Sequence, residues 1–102
     1  MAITVSSLPL IIGHRGACGH APENTLASFR AAADLGVAWV EFDVKLSGDG
    51  ELIILHDDTL DRTTTGWGPV AQHSLAEIRR LDAGLFFDEV FRGEKVPTLD
   101  DT

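Results

Sequence analysis

The sequence is short of cysteine, of basic residues and of long apolar runs, and each shortage removes a class of protein. Cys18 is the single cysteine, so no internal disulfide framework can be built. Eight Lys and Arg stand against 16 Asp and Glu, a formal net charge of −8. That sign excludes nucleic acid as a partner, because the chain would be repelled by a phosphate backbone. The apolar runs reach about five residues against the ~20 that a membrane span needs, so no membrane span is expected. The opening stretch from Met1 to Leu10 has no basic region, so no secretory leader is expected, and the expected compartment is the cytoplasm. What is present is an ordinary globular balance, 44% hydrophobic and 24% charged. With 102 residues, the chain is one small domain or a piece of a larger one.

Along the chain, Leu10-Ile-Ile-Gly13 reads as a short buried strand, ending abruptly in His14-Arg15-Gly16. A loop through Asn24 follows. Thr25 or Asn24 can cap a helix running to about Leu35, with Leu26, Phe29, Ala32 and Ala33 as its apolar stripe and Gly36 placed for a left-handed stop. Val37 to Leu46 reads as one strand, with Val40, Phe42, Val44 and Leu46 alternating against Glu41, Asp43 and Lys45. Glu51 to His56 is a further strand. Only Ser47-Gly48-Asp49-Gly50 separates the two, too few residues for a parallel crossover, so the pair is expected to form an antiparallel hairpin. From Thr59 an irregular excursion begins. Ser74-Leu-Ala-Glu77 is a capping box predicting a helix through about Leu81, closed near Gly84. Phe86, Phe87, Phe91 and Val96 lie in the tail, and Thr98 to Thr102 resembles the first turn of another helix. There is no internal repeat.

The chemistry-bearing residues fall at strand ends and on the hairpin. If Leu46 pairs with Glu51, Asp43 lies opposite Ile54 and Glu41 opposite His56. Glu41 and Asp43 are then ~6.6 Å apart along one face, with Phe42, Val44, Ile53 and Leu55 on the other. Two carboxylates that close repel unless neutralised, and a hard divalent cation, Mg²⁺ or Ca²⁺, prefers oxygen ligands. The bland alternative is a solvated polar face on which Lys45 pairs with Asp43. His14 and Arg15 end a buried strand, where open α/β sheets and barrels place ligands. Arginine offers a fork for phosphate, and histidine moves protons near neutral pH. The alternative there is a polar loop opening. His56, followed by Asp57 and Asp58, is a second histidine with acids able to set its tautomer, so one general acid and one general base are available. Gly13, Gly16 and Gly19 make no nucleotide-binding pattern. Cys18 has no partner to activate it, His20 and His73 read as loop residues, and Trp67 reads as a packing anchor.

Taken in order, His14-Arg15-Gly16, Ala21-Pro-Glu-Asn-Thr25 opening a helix, Glu41-Phe-Asp43, and His56-Asp57 with Asp61-Arg-Thr-Thr64 resemble the glycerophosphodiester phosphodiesterase family from about Leu10 to Leu99. The resemblance implies an α/β fold, the N-terminal part of a TIM (β/α)₈ barrel, over residues 1–102. Residues 59–98 would be the family's small insertion and its exit. It implies hydrolysis of glycerophosphodiesters, such as glycerophosphocholine, to an alcohol and glycerol 3-phosphate. The residues matching His14 and His56 would be acid and base, Arg15 would contact phosphate, and Glu41 and Asp43 would bind a divalent metal cation. Glu23 and Asn24 would form a loop beside the site, with Glu23 in reach of the metal. Such barrels run to about 250 residues, so a third metal-binding glutamate and a phosphate lysine would lie after Thr102. The uncovered barrel edges would then favour self-association. Two other readings compete: a non-catalytic fragment that only binds a cation or associates, and a related phospholipase C-like or sphingomyelinase D-like barrel. The length of the native reading frame separates the first from an enzyme, and intact phospholipid as substrate separates the second.

Overall fold

The computed structural model describes residues 11–102; the expected start of the first strand at Leu10 lies outside them. Two small sheets meet there. In the first, β1 (Ile12–His14) pairs in parallel with β2 (Trp39–Glu41), joined by helix α1 (Leu26–Asp34). This is a βαβ unit, the building block of parallel sheets and barrels. In the second, β3 (Val44–Leu46) pairs antiparallel with β4 (Leu52–Ile54).

The helix forms where expected because both its ends are chemically specified. Thr25 accepts from the Ser28 N–H at 3.2 Å while the Ser28 hydroxyl accepts from the Thr25 N–H at 3.3 Å, a capping box with serine in the third position. Glu94 reaches across from the far end of the chain to accept from the Ala27 N–H at 3.1 Å. At the other end Gly36 takes φ +80°, the left-handed stop that glycine adopts with little strain.

Two expectations of strand pairing are corrected. The single strand from Val37 to Leu46 is divided: it leaves the first sheet at Glu41 and enters the second at Val44. Phe42, at the break, lies edge-on to Phe29 of α1 with ring centroids 6.0 Å apart. The hairpin is also shifted by one residue. Leu46 faces Leu52, Val44 faces Ile54 and Lys45 faces Ile53, rather than Leu46 facing Glu51 and Asp43 facing Ile54. The cause is the turn. The Gly50 N–H donates to the Ser47 carbonyl, the Ser47 N–H donates to the Glu51 carbonyl, and Gly50 sits at φ +84°. This is a three-residue loop with a left-handed glycine, and it places Ser47 opposite Glu51. A one-residue slip exchanges faces. Ile53, Ile54 and Leu55 are all buried while Val44, Leu46 and Leu52 are exposed, and Asp43 lies opposite Leu55, whose N–H donates to its carbonyl at 3.0 Å.

The hydrophobic core is assembled by the excursion rather than by the βαβ unit. Ile53, Leu55, Leu60, Val70, Ile78, Ala83 and Val96 form one buried cluster, with Leu75 and Leu81 against it. After a long irregular path the chain returns along the free edge of β4. The Ile54 N–H donates to the Pro97 carbonyl and the Leu99 N–H to the Leu52 carbonyl. Residues 59–98 thus leave and rejoin one strand, covering its edge. Helix α2 (Leu75–Ile78) carries the expected Ser74–Glu77 capping box but stops short of Leu81, because the Arg80 and Leu81 N–H groups bond three residues back and tighten the chain. At Thr98 the expected turn forms, with the Thr98 hydroxyl accepting from the Asp101 N–H and the Asp101 carboxylate accepting from the Thr98 N–H. Among the described residues, no helix is long and apolar enough to cross a membrane.

Candidate active site

The site lies at the ends of β1 and β2, where polarity replaces the apolar strand residues. The β1–β2 register sets His14 beside Glu41, and the His14 Nε2 is 3.8 Å from a Glu41 carboxylate oxygen. That oxygen also accepts from the Arg15 N–H at 3.3 Å. Arg15 and Gly16 both turn left-handed, at φ +53° and +83°, so the chain reverses sharply and runs against α1. The Arg15 carbonyl accepts from the Asn24 N–H at 2.9 Å and from the Ser28 hydroxyl at 3.0 Å. A left-handed arginine is held only because its surroundings specify it. Asn24, a residue type that tolerates this region, is left-handed too at φ +55° and is almost fully buried.

Glu41 and Asp43 are each tied to Arg15, but not by the expected route. They are not neighbours on one hairpin face, and Glu41 does not oppose His56. Glu41 arrives on β2 beside His14, whereas Asp43 is held by the loop after β1. The Asn24 side-chain amide donates to Asp43 at 3.0 Å, and Arg15 Nε lies 3.5 Å from the same oxygen. That second contact is an ion pair without hydrogen-bond geometry, since Arg15 Nε is buried with no hydrogen-bond partner. Lys45, which was expected to compete for Asp43, pairs with Asp58 instead at 3.3 Å.

Glu23 joins the two halves of the site. Arg15 donates to it at 3.1 Å, and Arg62 clasps both its oxygens at 2.9 Å. Burial raises the Glu23 pKa, but the hydrogen bonds and charge of Arg62 and Arg15 outweigh it, and the carboxyl is held below its ordinary value. Arg62 also grips Asp57, through Nε and Nη2, each at 2.9 Å. Asp57 in turn lies 2.8 Å from His56 Nδ1. The hydrogen bond from Arg62, then that from His56, pulls the Asp57 carboxyl well below the usual carboxylate range. An ionised carboxylate can only accept, so this contact favours the His56 tautomer that carries its proton on Nδ1. Of the two acids beside His56, Asp57 is the one in contact with the ring, while Asp58 pairs with Lys45. Arg62 was not singled out as a site residue; a lone arginine in an irregular segment five residues past Asp57 offers no periodic signal.

The cluster carries more carboxylate than guanidinium charge. Glu23, Glu41, Asp43 and Asp57 face two guanidiniums, which leaves two negative charges beyond those the arginines balance. Asn24 Oδ1 is a buried acceptor without a donor, on the same amide that holds Asp43. Oxygen-rich, net-negative surroundings suit a hard divalent cation, although two carboxylates fill only part of its shell. Among the described residues, no group of three or more His, Cys, Asp or Glu is arranged to hold a metal ion. The remaining sequence candidates stay outside the site. His73 bonds the Trp67 carbonyl at 3.1 Å. Trp67 itself is 76% exposed, so it is not the packing anchor expected. Cys18 is a free, half-buried thiol.

Comparison with known proteins shows the family and the fold. The profile of the Glycerophosphoryl diester phosphodiesterase family matches residues 14–102. A glycerophosphodiester phosphodiesterase of Caldanaerobacter subterraneus subsp. tengcongensis is 51% identical over 90 residues, covering 88% of this chain and 37% of that protein. One of Bacillus subtilis is 43% identical over 100 residues, covering 90% and 34%. Among solved structures, a phosphodiesterase of Oleispira antarctica in complex with the product sn-glycerol-3-phosphate superposes with TM-score 0.89 at 52% identity, over 90% of this chain and 37% of that one. A glycerophosphodiester phosphodiesterase of Agrobacterium tumefaciens gives TM-score 0.88 at 49% identity, over 91% and 40%. These are TIM-barrel proteins, and the chain spans little more than a third of the length of its curated relatives. With its βαβ unit, its excursion and its cluster of His14, Arg15, Glu41 and Asp43, the chain belongs to the glycerophosphoryl diester phosphodiesterase family as a portion of the barrel.

Proposed function

We propose that this chain carries part of the active site of a phosphoric diester hydrolase that cleaves glycerophosphodiesters to an alcohol and glycerol 3-phosphate. The observation that carries the reading is the single hydrogen-bonded and ion-paired network that links His14, Arg15, Glu23, Asn24, Glu41, Asp43 and His56. The product found in the Oleispira relative is the one this reaction would release. In this reading His14 and His56 are the proton carriers. His56 takes a proton at Nε2, because Asp57 occupies Nδ1 and stabilises the imidazolium that results. Arg15 supplies guanidinium charge for the phosphate. Glu41 and Asp43 would hold a Mg²⁺ or Ca²⁺ ion, and such an ion, when bound, screens the charge of a phosphodiester and orients it. Glu23 is engaged by two arginines and acts as scaffold beside Asn24, not as a ligand. Residues 59–98 are an insertion that closes over β4 and delivers Arg62. The lone Cys18 is in keeping with a cytoplasmic setting.

The competing non-catalytic reading draws on one observation, that Ile12, Val44, Leu46 and Leu52 are each more than 40% exposed. In the 102-residue chain these apolar side chains promote self-association, and the short chain alone has little activity. The test follows glycerophosphocholine by ³¹P NMR with the short chain and with a version extended through the remaining barrel strands, with Mg²⁺ or Ca²⁺ added or chelated. Glycerol 3-phosphate from the extended protein, dependent on the cation, is expected. Turnover of intact phosphatidylcholine or sphingomyelin in its place would favour a phospholipase-type relative. No turnover of any of these by the extended protein would leave the non-catalytic reading.

A further inference from the structure

Arg62 is half exposed, in an irregular segment, yet its guanidinium is committed in four directions. It grips both oxygens of Glu23 and both oxygens of Asp57, each at 2.9 Å. An exposed arginine with one acidic neighbour contributes little; a planar fork matched to two carboxylates at once has geometric specificity that a single ion pair lacks. The far side of the clamp is itself anchored, because Glu23 is held by Arg15 at 3.1 Å. The near side ends on the imidazole. The same Asp57 oxygen that accepts from Arg62 Nη2 lies 2.8 Å from His56 Nδ1. His56 is 44% exposed and Asp57 25% at the side chain, so both are in reach of water. An aspartate with no second anchor could turn to solvent and release the ring.

We propose that Arg62 is a positioning residue that clamps Asp57 against Glu23 and thereby fixes His56 as its Nδ1–H tautomer, with Nε2 free to take a proton. The inference rests on the proposed function only for the use made of that proton; the tautomer is observable without turnover. The clamp also ties the excursion to the loop after β1, so that the two histidines belong to one rigid unit. A purely structural pin would do the tying but would leave the ring's tautomer where it was.

The experiment is a long-range ¹H–¹⁵N spectrum of the histidine rings in the 102-residue chain. It is recorded above about pH 8, where an ordinary imidazole is neutral, with His56→Gln to assign the signal. Wild type is expected to show His56 protonated at Nδ1. In Arg62→Met the ratio of Nδ1–H to Nε2–H is expected to fall roughly tenfold, the scale of one lost charge-assisted hydrogen bond. Arg62→Lys is expected to fall with it, since one ammonium cannot span both carboxylates. The amide signals of Ile53 and Val96 report that the core is intact; should Arg62→Met not fold, the lysine variant decides. A wild-type His56 protonated at Nε2, or a folded variant that keeps the wild-type ratio, overturns the proposal. A shift in tautomer together with a catalytically silent His56→Ala in the extended protein would uphold the clamp and overturn the role given to His56.

Discussion

Gly16→Ala separates the two reasons a glycine stands where Arg15 turns into the site. Gly16 has φ +83°, which costs a residue with a Cβ roughly 1–2 kcal/mol. An added Cβ would also lie 2.7 Å from Ser28 Cβ and 2.8 Å from the Ser28 carbonyl carbon. Ser28 is fully buried within α1, so the helix must move rather than a side chain. Moving it strains three contacts: Ala17 N–H to Ser28 O, Ser28 hydroxyl to Arg15 O, and Asn24 N–H to Arg15 O. At about 1 kcal/mol for each hydrogen bond lost, the combined cost is about 4–5 kcal/mol, a large part of the ~5–15 kcal/mol that holds a small domain together. Two controls divide the effect. Gly36 has φ +80° but open space around its Cβ position, and Gly19 has open space and no left-handed backbone. Gly36→Ala should therefore cost about 1–2 kcal/mol, and Gly19→Ala should be neutral or stabilise by up to ~1 kcal/mol. Urea unfolding followed by tryptophan fluorescence measures all three. A Gly16→Ala loss within about 0.5 kcal/mol of that of Gly36→Ala would refute the close approach of loop and helix.

The other consequences are more local. Calorimetric titration of Mg²⁺ and Ca²⁺ should show binding to wild type and its loss in Glu41→Gln/Asp43→Asn; equal binding by both proteins would remove the cation from these carboxylates. Because Asp57 is pulled below its ordinary value of 3.8 by Arg62 and His56, its contribution to stability is complete above that pH and is lost as the pH falls through the lower folded value. Urea midpoints should therefore drop more between pH 6 and pH 3 for wild type than for Asp57→Asn. Cys18→Ser in the extended protein should keep near-parental turnover; a loss of about a hundredfold, ~2.7 kcal/mol of barrier, would give the thiol a role that its position does not suggest.

The parts of the fold that could be read from the sequence are those governed by short-range chemistry. Thr25, Ser74 and Gly36 announce helix ends through caps and a left-handed stop, and all three act as expected. The strand at His14 and the excursion after Thr59 were visible as abrupt changes in polarity. What was not visible depended on pairing. The alternation from Val40 to Leu46 is compatible with one strand, and nothing local shows that Glu41 pairs with β1 while Val44 pairs with β4. The hairpin register turned on Gly50, one residue whose φ of +84° shortens the loop and exchanges the faces of β3 relative to β4. The candidate site was nevertheless legible, because its residues sit at strand ends whichever way the strands pair. His14 and Glu41 meet through the parallel register, and Asn24 and Arg15 bring in Asp43. Arg62 was hidden because its partners Glu23 and Asp57 are 39 and 5 residues away, and only the folded excursion brings them together.

The central claim is that His14 and His56 move protons in one phosphodiester cleavage, and steady-state kinetics of His14→Ala and His56→Ala in the extended protein test it most directly. With glycerophosphocholine as substrate and saturating Mg²⁺ or Ca²⁺, each variant should lose ~10²–10⁴-fold in kcat with a smaller change in KM, the scale of a lost general acid or base. Circular dichroism would establish that both variants remain folded. A kcat within about tenfold of the parent for either folded variant would contradict the assignment of that histidine and, with it, the two-histidine account of the site.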